Sequence, residues 1–226
     1  VAKDELHASA SEAGLAVGIY IIGTVVARIF AGRFVGTLGC RRVLYGGLFI
    51  YLISTILYFY IPNLLVLDTI RFVNGFAYGV TSTATSTIVA TVIPKTRRGE
   101  GINYYGLSLS LAAAIGPFLG MLSITNFTFI VAFCVALVIL CIIGAFLLKF
   151  EEPTFSAEVV EEEKGTRISD FLEPRVNSIS LVSILVGLSY SGILGFMASY
   201  TREVNLVEAG TLFFVVYAVV ITLTRP

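Results

Sequence analysis

Apolar runs of about twenty residues recur along the chain, joined mostly by links of a few residues, and nothing else narrows its possible folds so far. The runs are continuous rather than alternating, so each reads as a helix that satisfies its own backbone inside a bilayer. The expected spans are Ala13–Ala31, Val43–Ile61, a third between Pro62 and Pro94, Ile102–Ile124, Phe127–Leu148, Ser178–Tyr200 and a seventh from Gly210 onward. With 57% hydrophobic residues, 13% charged residues and a mean hydropathy of +0.91, a soluble domain of this length could not cover its apolar surface. The fold class expected is therefore an all-α integral membrane bundle with seven transmembrane helices.

Between the first two runs lies Gly32–Arg42, GRFVGTLGCRR, read as a basic loop that closes a tight hairpin. Lys and Arg in short loops mark the cytoplasmic face, which places Arg33, Arg41 and Arg42 inside. The same face then takes Lys95, Arg97, Arg98, Lys149 and the 150–177 segment with Lys164, Arg167 and Arg175. The opposite turns at Ile61–Leu64 and Ser123–Thr128 carry neither Lys nor Arg, and only Lys3 and Arg202 fall outside. Glutamates make 150–177 too polar for lipid, so it reads as a cytoplasmic linker between a part at 1–149 and a part at 178–226. A shift of 197 places Leu15 on Leu212, Tyr20 on Tyr217 and Arg28 on Arg225, an echo between the two parts. Repeated halves are a common transporter architecture, with the binding site at the repeat interface.

Several functions are disfavoured on composition. A net charge of zero offers no basic field for nucleic acid. Cys40, Cys134 and Cys141 have neither disulfide nor zinc spacing, and His7 is the single histidine, so no metal site or histidine-based catalytic centre is expected. Lys3-Asp4-Glu5-Leu6 spells a retention signal at the wrong end of the chain. Asn126-Phe127-Thr128 matches a glycosylation acceptor but lies in a very short turn. A membrane-embedded enzyme would need clustered acid, base or metal ligands at depth; Asp68 and Arg71, near one surface, are the nearest approach to one.

The third span carries the candidate chemistry. Asp68, Arg71, Asn74, Tyr78, Thr81 and Thr85 fall three or four apart and so share one helix face. A lipid-bathed helix would not carry that stripe, so it faces protein or a water-filled cavity. An Arg at mid-helix costs about 2.5–3.5 kcal/mol on insertion scales and marks a pathway or a partner. Arg71 either takes a proton- or substrate-linked role or snorkels outward to pair with Asp68. Ser82, Thr83, Ser86 and Thr87 are ordinary packing residues on the bland reading. In the fourth span, Gly106, Ser110, Ala113, Pro117 and Gly120 make a flat strip, and Pro117 frees a carbonyl and bends the helix. Such a helix either shifts against its neighbours or packs statically. In the sixth, Gly187, Gly192 and Gly195 surround Tyr190 and Ser191, so Tyr190 contacts substrate or bonds a neighbouring helix.

Together these residues resemble the major facilitator superfamily, in its proton-coupled drug and metabolite efflux branch. The family loop G-x-L-x-D-R-x-G-R-R/K is matched by Gly32, Gly39 and Arg41, with Phe34 for the Leu. The pattern R-x-x-x-G is matched by Arg71 and Gly75. The antiporter signature G-P-x-x-G-G is matched by Gly116, Pro117 and Gly120, with Met121 for the last Gly. The resemblance implies family helices two to eight of twelve, with Val1–Glu12 as an outer loop and helices one and nine to twelve missing. It implies export of a small drug-like molecule or metabolite by alternating access, with the proton gradient as energy source and no cofactor. Arg71 and Asp68 would serve proton coupling, and Asn74, Tyr78, Thr81 and Tyr190 would line the cavity. Gly32, Gly39, Arg41, Arg42, Gly106, Gly116, Pro117 and Gly120 would serve gating. The carboxylate that takes the proton would lie outside this chain. The implied setting is the cytoplasmic membrane, with lipid and a small molecule as partners and a monomeric complete protein. Gly36 and Thr37 stand where the family has Asp and Arg, and Cys40 replaces another basic residue. Without that carboxylate the outward-open state would be held poorly. A non-transporting remnant and an uptake symporter of the same fold are the alternatives.

Overall fold

The computed structural model describes residues 9–122, 126–148, 177–204 and 206–224; the expected 150–177 linker falls almost wholly outside them. They form seven α-helices: α1 Ala10–Leu38, α2 Cys40–Ile56, α3 Leu64–Val92, α4 Arg98–Leu122, α5 Phe127–Leu147, α6 Asn177–Glu203 and α7 Val207–Thr224. Short 3-10 turns, Leu57–Phe59 and Lys95–Arg97, follow α2 and precede α4. The result is the expected all-α bundle.

Local sequence explains where the helices start. Ser9 accepts from the Glu12 amide at 3.3 Å while Glu12 accepts from the Ser9 amide at 2.8 Å, closing a capping box on α1. Asn63 caps α3 through the Val66 amide at 2.9 Å, and Asn126 caps α5 through the Phe129 amide at 3.1 Å. The side chain of the apparent glycosylation acceptor is thus a helix cap. At its other end α3 stops at Val92, because Ile93 precedes Pro94 and turns extended.

The Gly32–Arg42 loop is corrected by the structure. Helix α1 continues through Gly32, Arg33 and Gly36 to Leu38, and α2 starts at Cys40 and carries Arg41 and Arg42. Only Gly39 breaks the backbone, at φ 86° and ψ 150°. That region is essentially closed to residues with a Cβ, so one glycine makes the hairpin and the others remain helical. Basic residues do not stop a helix, which is why the hydropathy boundaries at Ala31 and Val43 fell short.

The residues gather into two compact units. The first holds α1, α2, α3, the start of α4 and α5; the second holds the rest of α4 with α6 and α7. In the first unit α3 lies at the centre, packed along α1 and α2, while α5 packs on α2. The α1–α3 seam is built from small residues. A Cβ on Gly75 would strike the Tyr20 carbonyl, and one on Gly79 would lie 2.6 Å from the Ala27 Cβ. Thr24 Oγ1 lies 3.0 Å from both the Tyr20 and Gly75 carbonyls. Contacts this close between backbones are how helices associate where no hydrophobic effect separates them from lipid. In the second unit, the Leu206 amide donates to the Thr201 carbonyl at 2.7 Å to close the α6–α7 hairpin, and Phe214 is fully buried.

By length and apolar composition alone, four of the described helices qualify as membrane spans: α1, α2 with its 3-10 turn, α4 with its leading turn, and α5. Among the described residues, the apolar stretches of α6 and α7, Asn177–Ser191 and Glu208–Thr224, are shorter. Helix α3, at 29 residues, is about 43 Å long at 1.5 Å per residue, so it has ample length. Its polar stripe keeps it off that tally.

Candidate functional site

The polar stripe of α3 has a counterpart that sequence reasoning missed. Tyr51, Ser54, Thr55 and Tyr58 stand at i, i+3, i+4 and i+7 along α2 and its 3-10 turn, and meet the α3 stripe. Asn74 is buried between them: its Nδ2 donates to Ser54 Oγ at 2.9 Å and to Thr55 Oγ1 at 3.1 Å. Both hydroxyls donate onward to the Tyr51 carbonyl. Thr81 is also a seam residue. Its Oγ1 donates to the Ala77 carbonyl at 2.8 Å and lies where a Cβ on Gly47 would fall.

To either side of Asn74 the seam is aromatic. The Tyr78 ring lies 6.1 Å from Tyr20 of α1 and 6.4 Å from Tyr51 of α2, and the Tyr20 and Tyr51 hydroxyls interact. Arg71 extends over the Tyr58 ring at 6.0 Å, a cation–π arrangement. Arg71 and Asp68 are half-buried and do not pair with one another. Among the described residues, Arg71 Nε and Asp68 Oδ1 are buried atoms without a hydrogen-bond partner. The structure therefore brings Asp68, Arg71, Asn74, Tyr78 and Thr81 to one seam and adds Tyr20, Tyr51 and Tyr58 to it. The signal for the α2 residues was their helical spacing, hidden because tyrosine counts as apolar in a hydropathy reading.

Tyr190 belongs to the second unit. Its ring lies 5.8 Å from Tyr217 of α7, and it lines an open groove of about 440 Å³ with Leu185, Val186, Ser189 and Ile193. Tyr20 and Tyr217, matched by the sequence echo, are thus each half of a tyrosine pair within their own unit. On α4, Ser110 Oγ donates back to the Gly106 carbonyl at 3.1 Å. Gly116 and Gly120 have open space where a Cβ would sit, and the helix runs unbroken past Pro117. Ala114 on the same helix is buried, and Ile115 and Phe118 line an apolar crevice of about 180 Å³ with Phe214, Val215 and Ala218 of α7. At the hairpin Gly32 is exposed and open, Gly39 supplies the break, Arg41 is half-buried and Arg42 is exposed. Among the described residues no cluster of His, Cys, Asp and Glu could hold a metal ion.

Comparison with known proteins points one way. The sequence pattern of the Major Facilitator Superfamily matches residues 1–226. An uncharacterized MFS-type transporter of Methanocaldococcus jannaschii is 27% identical over 89% of this chain and 54% of its own length. The staphylopine export protein of Staphylococcus aureus is 21% identical over 98% of this chain and 57% of its own. The multidrug resistance protein MdtL of Citrobacter koseri is 23% identical over 82% and 49%. The chain spans about half the length of the curated relatives it matches.

Proposed function

The chain belongs to the major facilitator superfamily, and from that premise we propose that it forms part of a proton-coupled exporter of small amphipathic molecules. A multi-pass membrane transporter is what the family provides; the direction, the coupling ion and the cytoplasmic membrane as its setting are our reading. The observation that carries it is the seam of α1, α2 and α3. Two ionisable side chains, Asp68 and Arg71, stand with four tyrosines inside a helical bundle. Ionisable groups in such a position mark a proton or substrate path. Relatives named for staphylopine export and multidrug resistance support export as the direction.

In this reading Arg71 sets the charge felt by a proton-carrying group, and Tyr78 contacts the cargo. Asn74 and Thr81 hold the α2–α3 wall of the cavity through the bonds described above. The Gly39 hairpin with Arg41 and Arg42, and α4 with Gly106, Gly116, Pro117 and Gly120, are the gating elements. The test is dye transport into everted vesicles carrying the full-length protein. Transport should follow an imposed proton gradient, collapse with an uncoupler, and disappear in Arg71→Ala at unchanged membrane insertion. Transport that ignores the gradient, or an Arg71→Ala variant as active as the parent, refutes the coupling role. Movement in the opposite direction would identify the uptake symporter.

A further inference from the structure

We propose that the seam recognises an anionic aromatic molecule, a carboxylate above all, with Arg71 as its anchor. The proposal rests on the transport reading but concerns the chemistry of the cargo. An arginine does not relieve burial by giving up its proton, so the buried Nε of Arg71 calls for a partner that accepts hydrogen bonds and carries negative charge. The described acids of the first unit are Glu12, Asp68 and Glu100. Glu12 is engaged by Ser9 in the α1 cap, and Glu100 pairs with Arg97 at 2.8 Å. Asp68, one turn away on the same helix, does not pair with Arg71. Among the described residues the guanidinium therefore makes no ion pair or hydrogen bond, and the Tyr58 ring at 6.0 Å is its contact.

That contact leaves the donors of the guanidinium unspent. A cation–π contact uses its charge and none of its N–H groups as hydrogen-bond donors to oxygen, so the donors remain available to an anion. A planar fork of donors in that state matches a carboxylate bidentately, which a lysine could not do. The surroundings suit the rest of such a molecule. Tyr58 offers ring surface beside the guanidinium, and past Asn74 the seam continues with Tyr78, whose ring lies 6.1 Å from Tyr20 and 6.4 Å from Tyr51. Asn74 is taken up by Ser54 and Thr55, so the seam offers no comparably free amide to a neutral ligand. A cation in the same place would meet Arg71 as a like charge.

The test uses the full-length protein purified in lipid nanodiscs, with naphthoate, its neutral isostere naphthamide and naphthylmethylammonium as probes. Equilibrium dialysis of each probe against the loaded nanodiscs reads binding without reference to residues outside this chain. Naphthoate should bind best, and Arg71→Gln should weaken it about tenfold or more while leaving naphthamide unchanged, as loss of a charge-assisted pair requires. Arg71→Lys should retain only part of the preference. Should Arg71→Gln not fold, Tyr58→Leu decides: removing the ring beside the guanidinium should weaken naphthoate several-fold relative to naphthamide. Naphthoate affinity unchanged in Arg71→Gln or Tyr58→Leu overturns the proposal, as does tighter binding of the amide or the ammonium probe. Gradient-driven dye transport together with failed naphthoate binding would remove this inference and leave the transport reading standing. Arg71-dependent binding without transport would do the reverse.

Discussion

Asn74 at 6% exposure and Gly75 beside it show how two adjacent positions of α3 do different work. Asn74 ties α3 to α2 through Ser54 and Thr55, whose hydroxyls keep their own bonds to the Tyr51 carbonyl. Asn74→Ala therefore removes two interhelical bonds without stranding a donor. Such bonds inside membranes average about 0.6 and reach about 1.7 kcal/mol, so a moderate fall in the thermal midpoint of the solubilised protein is expected. Gly75→Ala should be worse. Its methyl group would meet the Tyr20 carbonyl, which is backbone and cannot rotate away, and overpacking of this kind costs about 1–3 kcal/mol. Gly46→Ala on α2 is the control, since nothing lies within 4 Å of its Cβ position and helix propensity favours alanine by up to about 1 kcal/mol. The order of midpoints should be Gly46→Ala highest, then Asn74→Ala, then Gly75→Ala. At this scale the α3 stripe was legible because Asp, Arg, Asn and Thr stand out from apolar neighbours. Tyr20, Tyr51 and Tyr58 were not, because a tyrosine shows its polar tip only once a neighbouring helix meets it.

The hairpin between α1 and α2 makes a similar point for elements. Gly32, Gly36 and Gly39 look alike in the sequence, and a run of glycines with arginines reads as a loop. Hydrogen bonding decides otherwise: the Gly39 amide still closes the last turn of α1 onto the Val35 carbonyl at 3.1 Å, and α2 begins at the next residue. Gly39→Ala should be destabilising by about 1–3 kcal/mol, because alanine is strained at φ 86°. Gly32→Ala should stabilise by up to about 1 kcal/mol, because Gly32 is helical and open. Opposite shifts of the thermal midpoint test this; equal shifts would restore the loop. Starts of helices were more legible than this break, since Ser9, Asn63 and Asn126 are ordinary capping residues. The α1 cap carries a pH signature. Two hydrogen bonds with Ser9, first from its backbone and then from its side chain, hold the Glu12 carboxyl below its ordinary value. Its contribution is complete above the ordinary carboxylate range and is lost as pH falls through the lowered folded value. The protection factors of the first-turn amides of α1, taken against the intrinsic exchange rate at each pH, should therefore fall on acidification, and in Glu12→Gln they should not.

For the whole molecule the decisive relation is that α1 and α3 run side by side in the same direction. Tyr20 faces Gly75 and Ala27 faces Gly79, so the register carries Leu38 to the level of the α3 C-terminus. The Gly39 hairpin and the Lys95–Arg97 turn must then open on one face, while the Leu57–Phe59 turn opens on the other. The sequence reached the same arrangement from charge alone, because short basic links alternate with links that have no Lys or Arg. Hydropathy handled α3 less well: its length suffices, but the groups that make it the centre of the first unit also lower its apolar score. Shielding by α1 and α2 explains how such a helix can sit at membrane depth. The orientation is testable with single cysteines in a chain whose Cys40, Cys134 and Cys141 have been replaced. Tyr60, at 77% exposure, follows the Leu57–Phe59 turn in the link between α2 and α3, and Tyr60→Cys should react with an impermeant maleimide in intact cells. Thr37→Cys, beside the hairpin, and Thr96→Cys, in the basic turn, should react only after permeabilisation. If Thr37→Cys and Thr96→Cys labelled on opposite sides, the parallel packing of α1 and α3 would be wrong. If all three labelled in the inverted sense, the packing would stand and the positive-inside assignment would fall, because helix register and membrane orientation rest on independent forces.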